Sequence, residues 1–119
     1  MHRILTLMAA LLPMPAMAAE LWCMPDTLCR ADGSCRATTD EESSIRLADL
    51  QAESSTLRAD AQDIALTRLT GGTVIEWAGT DDMGRAVSLI WTVEGMAYTY
   101  TITETGGGVF KDSGVCEVQ

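Results

Sequence analysis

Residues 86–103, AVSLIWTVEGMAYTYTIT, alternate apolar and polar side chains on both sides of a Glu94-Gly95 turn. Alternation with a period of two is typical of strands that bury one face. We therefore predict an antiparallel hairpin of strands 86–93 and 96–103 around a two-residue turn. The apolar residues that share the predicted core face are Val87, Leu89, Trp91, Val93, Met96, Tyr98, Tyr100 and Ile102.

Short segments of the same kind recur along the rest of the chain. The other predicted strands are 20–24, 45–50, 56–58, 63–70 and 73–78, followed by 109–111 and 114–118 on either side of a turn at Asp112-Ser113. Residues 47–65 are also rich in helix formers, which leaves a helix there as an alternative. About seven or eight short strands with turn residues between them predict an all-β fold, either a small antiparallel barrel or a sandwich.

The first eighteen residues have the three parts of a secretory signal peptide. These are Arg3, an apolar run over residues 4–12 and the small-residue end Ala16-Met17-Ala18. We predict cleavage directly after that end, which leaves residues 19–119 as one domain in the periplasm or outside the cell. Cleavage removes His2, the one histidine of the chain, and the loss of Arg3 changes the net charge from −9 to −10.

All four cysteines lie after the predicted signal. An even number of cysteines in an exported chain predicts disulfides, and four cysteines allow three pairings. Because Asp32-Gly33 is a strong turn signal between Cys29 and Cys35, we favour a Cys29–Cys35 bond across a hairpin. Cys23 would then bond to Cys116 and join the first predicted strand to the last. The disulfides would staple a core that is marginal in a domain of this size.

The sequence does not indicate an enzyme, a metal site or a cofactor. Without histidine and with its cysteines paired, the chain keeps Lys111 and Ser113 as candidates for nucleophilic catalysis, and the predicted turn at Asp112-Ser113 argues against such a dyad. The cysteine spacing does not match a structural zinc site, and Asp81-Asp82 lacks the alternating ligands of an EF-hand loop. No carboxyl group is marked for burial, which general acid–base catalysis requires.

Charge and aromatic content narrow the possible partners. An acidic surface repels nucleic acid and anionic phospholipid, and it attracts a cationic protein. No stretch after the signal has eighteen continuous apolar residues, so we expect no membrane anchor. The aromatic residues are expected to fill the core, with a small apolar ligand at a barrel mouth as the alternative. They are Trp22, Trp77, Trp91, Tyr98, Tyr100 and Phe110.

In outline the chain resembles the small periplasmic β-barrels that inhibit c-type lysozyme. The resemblance lies in the export signal, in Leu21-Trp22-Cys23 at the start of the mature chain and in Gly114-Val115-Cys116 near its end. It implies a loop bearing serine and lysine that enters the lysozyme cleft. The closest match here is Lys111 with Ser113, while the Ser-Gly-x-x-Tyr loop expected midway along the chain is missing.

These observations lead to two hypotheses of function. The first is an exported, non-enzymatic module that binds a cationic protein such as a c-type lysozyme. Its predicted partner-binding residues are Lys111, Ser113, Asp81 and Asp82. The alternative is a β-barrel that binds a small apolar ligand.

Overall fold

The structure, a computed structural model, describes residues 19–38 and 44–119. The predicted signal peptide, His2 and the acidic run 40–42 lie outside these ranges. The described residues form nine strands and no helix, so the helical alternative for residues 47–65 is wrong. The strands are β1 (Leu21–Cys29), β2 (Cys35–Ala37), β3 (Ile45–Leu47), β4 (Ser54–Ala59), β5 (Gln62–Thr70), β6 (Val74–Thr80), β7 (Ala86–Thr92), β8 (Ala97–Thr103) and β9 (Val109–Val118). In these two ranges, therefore, no helix could cross a membrane.

Eight of the strands close into an antiparallel barrel. From β3 to β9 each strand pairs with the next, and β9 pairs back onto β1, which also pairs with β3. The ninth strand, β2, is an extra strand that pairs with residues 27–29 of β1, beyond the residues 21–23 that pair with β3. The predicted all-β fold is confirmed, and the choice between barrel and sandwich is settled as a barrel.

The strand connections gather at two ends of the barrel. We call the end with residues 30–34, 60–61, 81–85 and 104–108 the upper rim, and the end with residues 48–53, 71–73 and 93–96 the lower rim. The core fills the middle of the barrel, where the apolar positions predicted from alternation on β7 and β8 are buried. Its largest fully buried side chains are Trp77, Leu21, Leu47, Leu57, Leu66 and Leu89.

Two disulfides join strands at directly opposed positions. Cys23 lies opposite Cys116 across β1 and β9, inside the barrel, and the two are bonded. Cys29 lies opposite Cys35 in the hairpin of β1 and β2 and is bonded to it. Both predicted bonds are confirmed. The first bond ties the two strands that close the barrel, which are 93 positions apart in sequence.

A bulge in β1 changes which of its side chains point inward. The pairing with β9 shifts between Pro25 and Thr27, so that Asp26 is the extra residue. Before the bulge Cys23 and Pro25 are buried inside the barrel; after it, Leu28 lies opposite the inward-facing Asp112. A one-residue insertion reverses the alternation of a strand. The bulge therefore turns Leu28, rather than its neighbours, toward the upper end of the barrel interior.

Several of the predicted boundaries are wrong. Strand β1 continues to Cys29 rather than ending at residue 24, β3 ends at Leu47 rather than at residue 50, and β4 covers residues 54–59 rather than 56–58.

Two further differences change which residues lie inside the barrel. Strand β9 runs without a break through Asp112 and Ser113, where we predicted a turn, because β8 and β1 pair with both of its edges. The connection between β7 and β8 has four residues, 93–96, rather than two. Val93 and Met96, predicted as core, are therefore exposed in the loop.

Candidate functional site

A cavity of about 600 Å³ opens at the upper rim. Its apolar lining comes from Leu28, Ile45, Tyr100, Ile102 and Phe110. The volume lies within the range of roughly 300 to 1,000 Å³ that is usual for small-molecule sites, and barrel mouths are among the places where such sites occur.

The prediction that the aromatic residues fill the core is confirmed for the buried Trp77, Trp91, Tyr98 and Tyr100. It is wrong for Trp22, which is 37% exposed on the outer face of β1, where Arg46 lies over its ring. Phe110 lies in the lining of the cavity.

Asp112 lies on the cavity wall because β9 is continuous. Its position on the strand is opposite Tyr100 of β8 and Leu28 of β1, both of which also line the cavity. The Asp112 Oδ1 atom accepts a hydrogen bond of 2.7 Å from the hydroxyl of Tyr98. Asp112 is thus a half-buried carboxylate in a largely apolar wall, held in place by one hydroxyl donor.

Burial raises the pKa of Asp112 to about 6, because the charged form loses hydration. The hydrogen bond from Tyr98 opposes this rise, and the nearby carboxylates of Asp60 and Asp26 add to it. Burial also raises the pKa of the Tyr98 and Tyr100 hydroxyls, so both remain protonated donors at neutral pH. Within the described ranges, no cation contributes to the pKa shift of Asp112. The fold therefore keeps a carboxylate in an environment that disfavours its charge.

The turn between β4 and β5 brings Asp60 to the upper rim. Asp60 and Ala61 both have positive φ angles, of 50° and 61°. This left-handed pair is the geometry of a two-residue hairpin turn, which usually carries asparagine or glycine. The side chain of Asp60 joins the cavity lining, where its charge acts on both Asp112 and Tyr100.

Among the described residues that line the cavity, Arg85 is the one cation withdrawn from solvent. Its Nε donates to Asp81 Oδ2 at 2.7 Å, and its Nη1 donates to Glu104 Oε1 at 3.1 Å. Asp81 also accepts hydrogen bonds from the backbone N–H groups of Met83 and Arg85, at 3.0 and 2.9 Å. Burial alone would raise the pKa of Asp81, but these hydrogen bonds outweigh it and hold the pKa below its ordinary value. Arg85 is therefore neutralised by two carboxylates and holds two rim loops together.

The remaining cations of the lining are exposed. Arg30 and Arg36 belong to the disulfide-bonded hairpin of β1 and β2, and Lys111 lies on β9. No ion pair joins any of them to a carboxylate among residues 19–38 and 44–119. These three exposed cations lie around a cavity whose wall carries the half-buried Asp112.

The residues predicted to bind a partner lie in two places. Lys111 and Ser113 share the outer face of β9, opposite Thr101 and Thr99 of β8. Asp82 is exposed in the loop between β6 and β7, while the neighbouring Asp81 is buried in the ion pair with Arg85. In the described part of the chain no hydrogen bond or ion pair links Lys111 to Ser113, and no cluster of three metal-ligating side chains occurs.

The two groups that give the cavity its chemistry, Asp112 and Arg85, were not predicted as site residues. Asp112 was assigned to a turn, although the residues two and four positions after it, Gly114 and Cys116, are inward-facing on the same strand. Continuing that period of two from Cys116 would have placed Asp112 inside the barrel. Arg85 carries no comparable signal, because its two partners are set by the packing of separate loops.

Comparison with known proteins found no match. No protein-family model, no curated protein and no solved structure matches the chain.

Proposed function

We propose that the protein is an exported, non-enzymatic barrel that binds a small molecule in the cavity at its upper rim. The observation that carries this proposal is the half-buried carboxylate of Asp112 in the wall of an apolar cavity of about 600 Å³. Small-molecule sites combine apolar walls with a few polar groups that orient the ligand. Leu28, Ile102 and Phe110 would contact the apolar part of the ligand, and Asp112 would orient it.

The position of Asp112 supports binding rather than a purely structural role. A carboxylate withdrawn from water costs free energy unless it is paired, and its one described donor is the Tyr98 hydroxyl. Arg85 is also withdrawn from solvent, but two carboxylates pair with it. A charge with a structural role in this fold therefore has ionic partners, which Asp112 lacks among the described residues. A group with a shifted pKa in a cavity is a candidate for ligand binding on physical grounds.

Export is part of the proposal and rests on two features. The disulfides Cys23–Cys116 and Cys29–Cys35 are stable in an oxidising compartment and rare in a reducing one. The amino-terminal segment of the chain has the composition of a secretory signal.

Binding of the neutral fluorescent probe N-phenyl-1-naphthylamine tests the proposed site. We expect the processed protein to enhance the fluorescence of this probe, because the cavity removes it from water. Phe110→Ala should weaken binding by about tenfold, since it removes a large part of the apolar wall. Val115→Ala, on the outer face of the same strand, is the matched control and should leave binding unchanged. Absence of enhancement, or equal weakening by both variants, would exclude the cavity as the binding site.

Binding of a cationic protein such as a c-type lysozyme is the second proposal. It is supported by the shared outer face of Lys111 and Ser113, by the exposed Asp82 and by the net charge of −9. If it is correct, the purified protein inhibits a c-type lysozyme at physiological salt, and Lys111→Ala reduces the inhibition. A protein that neither inhibits lysozyme nor retains a basic protein in a pull-down would rule this proposal out.

A further inference from the structure

The charged residues of the cavity lining differ in whether water or an ionic partner compensates their charge. Arg30, Arg36, Asp60 and Lys111 are exposed to solvent, so water compensates their charge. The other two charged residues are withdrawn from solvent. One, Arg85, is neutralised by Asp81 and Glu104. Asp112 is the other, and it has no cationic partner in the described part of the chain. The uncompensated charge of the cavity is therefore negative.

We propose that the cavity binds a small organic amine whose ammonium group pairs with the carboxylate of Asp112 and whose apolar part packs against Leu28, Ile102 and Phe110. This inference rests on the proposed function and specifies the class of ligand. The hydroxyl of Tyr98, at 2.7 Å from Oδ1, orients the carboxylate for this contact.

The surroundings of Asp112 favour a cation over an anion. The titratable and charged groups that face it are Tyr98 and Tyr100 from β8, Asp26 from β1 and Asp60 from the turn between β4 and β5. Two of these four are carboxylates, and both disfavour the charge of Asp112. Asp26 and Asp60 are exposed, so water and salt screen their charges as they screen those of the rim cations. The preference for a cation therefore rests mainly on Asp112, whose half-buried charge an ammonium group would neutralise and an anion would repel.

The exposed cations at the upper rim do not reverse this preference. Arg30, Arg36 and Lys111 are exposed, so water and salt screen their interaction with a ligand in the cavity. Tyr100 and Phe110 also line the cavity, and an aromatic side chain attracts a cation that lies over its ring. The net charge of −9 steers cations toward the protein as a whole.

Three probes of the same shape test the inference: 4-phenylbutylamine, 4-phenylbutanol and 4-phenylbutanoate. Their dissociation constants for the processed protein are measured by calorimetry or by displacement of the fluorescent probe at about pH 8, where Asp112 is ionised. We expect the amine to bind about tenfold more tightly than the alcohol, and the alcohol more tightly than the carboxylate.

Asp112→Asn separates a role in binding from a role in folding. The amide keeps the size of the side chain and can still accept the hydrogen bond from Tyr98. We expect this variant to lose the preference for the amine over the alcohol while keeping affinity for the alcohol. Glu117→Gln, an exposed carboxylate on the lower end of the same strand, removes the same charge outside the cavity and should keep the preference.

Asp112→Asn should also make the protein more stable than the native protein at about pH 8. A carboxyl whose pKa is higher in the folded than in the unfolded state stabilises the fold only while it is protonated, so ionisation between about pH 4 and pH 6 costs stability. Asp112→Asn removes that cost above pH 6 and gives no gain near pH 4. A gain in melting temperature at pH 8 together with loss of the amine preference is the pattern expected for a binding residue.

The pH dependence of amine binding provides the last arm of the test. With the pKa of Asp112 near 6, affinity for 4-phenylbutylamine should fall about tenfold between pH 8 and pH 5, while affinity for 4-phenylbutanol stays constant. The described residues include no histidine that could titrate in this range.

The outcomes distinguish the proposed function, binding of a small molecule in the cavity, from the inference that this small molecule is an amine. If neither the three probes nor N-phenyl-1-naphthylamine binds, both the proposed function and the inference are wrong. If the alcohol or the carboxylate binds as tightly as the amine, or if Asp112→Asn leaves the amine preference intact, the cavity is a binding site but the inference about amines is wrong.

Discussion

Replacing Cys23 and Cys116 together by alanine is expected to lower the free energy of unfolding by about 4 to 5 kcal/mol. The bond joins positions 93 residues apart, so reduction releases nearly the whole domain in the unfolded state. In the chain-entropy model the stabilisation grows with the length of the closed loop. Both cysteines are also fully buried between β1 and β9, the pair of strands that closes the barrel. Urea unfolding followed by tryptophan fluorescence measures the loss.

The second disulfide provides the matched control. Cys29–Cys35 closes a loop with a sequence separation of only 6, and its removal by a double alanine substitution should cost about 2.4 kcal/mol in the same model. Equal losses for the two double variants would contradict the assignment of Cys23–Cys116 as the principal covalent constraint.

Gly114→Ala is expected to destabilise the protein by about 3 kcal/mol or more, because a side chain at this position meets backbone atoms. A Cβ atom there would overlap the carbonyl oxygen of Met24 and come within 3.0 Å of the Asp26 nitrogen and the Pro25 Cα. These atoms belong to the bulge of β1 and cannot move without disturbing its pairing with β9. Thermal unfolding by circular dichroism measures the effect.

Gly106→Ala is the control for this substitution. A Cβ atom at position 106 has no heavy atom within 4 Å, and the position lies in the loop between β8 and β9. We expect its stability to stay within about 0.5 kcal/mol of the native value. If Gly114→Ala is equally well tolerated, the close approach of β9 to the bulge is not a feature of the protein in solution.

The hairpin of β7 and β8 could be predicted because its signal is local. Every second residue on each strand is apolar, and the strands are connected by a short polar segment. The length of the loop could not be predicted from the pattern, because Val93 and Met96 continue the alternation of the strands. In the structure the last paired residues of β7 and β8 are Thr92 and Ala97, so Val93 and Met96 belong to the loop. The disulfide pairing was predictable for a similar reason, because Asp32-Gly33 marks the tight turn between Cys29 and Cys35.

The continuity of β9 could not be predicted from local chemistry. Asp112, Ser113 and Gly114 are residues that favour turns when judged by themselves. In the folded protein both edges of this segment are paired, with β8 on one side and β1 on the other. Gly114 is required by the bulge across from it rather than by a turn. Tertiary pairing overrides local preference here, as it often does in sheets.

The candidate site depends on the same long-range features. Asp112 faces inward only because β9 is continuous, and Leu28 joins it in the cavity only because the bulge at Asp26 shifts the alternation of β1. The sequence carries no local sign of the bulge. The inward position of Asp112 follows from the alternation at Cys116 and Gly114 only if β9 is continued through a segment whose residues favour turns. Closure of the barrel through β1 and β9 is also a long-range feature, and the sequence indicated it only through the predicted Cys23–Cys116 bond.

Residues of the core and residues of the cavity have opposite effects on the stability of the barrel. Trp77 and Leu89 are buried among apolar neighbours and stabilise the barrel. Asp112 is partly buried at a cost, and no cation among residues 19–38 and 44–119 forms an ion pair with it. Proteins commonly keep such destabilising groups where a ligand supplies the missing partner. On this account the upper end of the barrel is specialised for binding and the middle for stability.

Localisation of a bound amine by NMR decides whether the cavity at the upper rim is the binding site. In the labelled, processed protein with saturating 4-phenylbutylamine, we expect intermolecular nuclear Overhauser effects from the phenyl ring to Ile102 and Phe110. We also expect a shift of the Asp112 carboxyl carbon whose pH midpoint moves below about 6 on binding, because the ammonium stabilises the ionised form. Contacts confined to the outer face around Trp22, or an Asp112 resonance that does not respond to the amine, would contradict binding in this cavity.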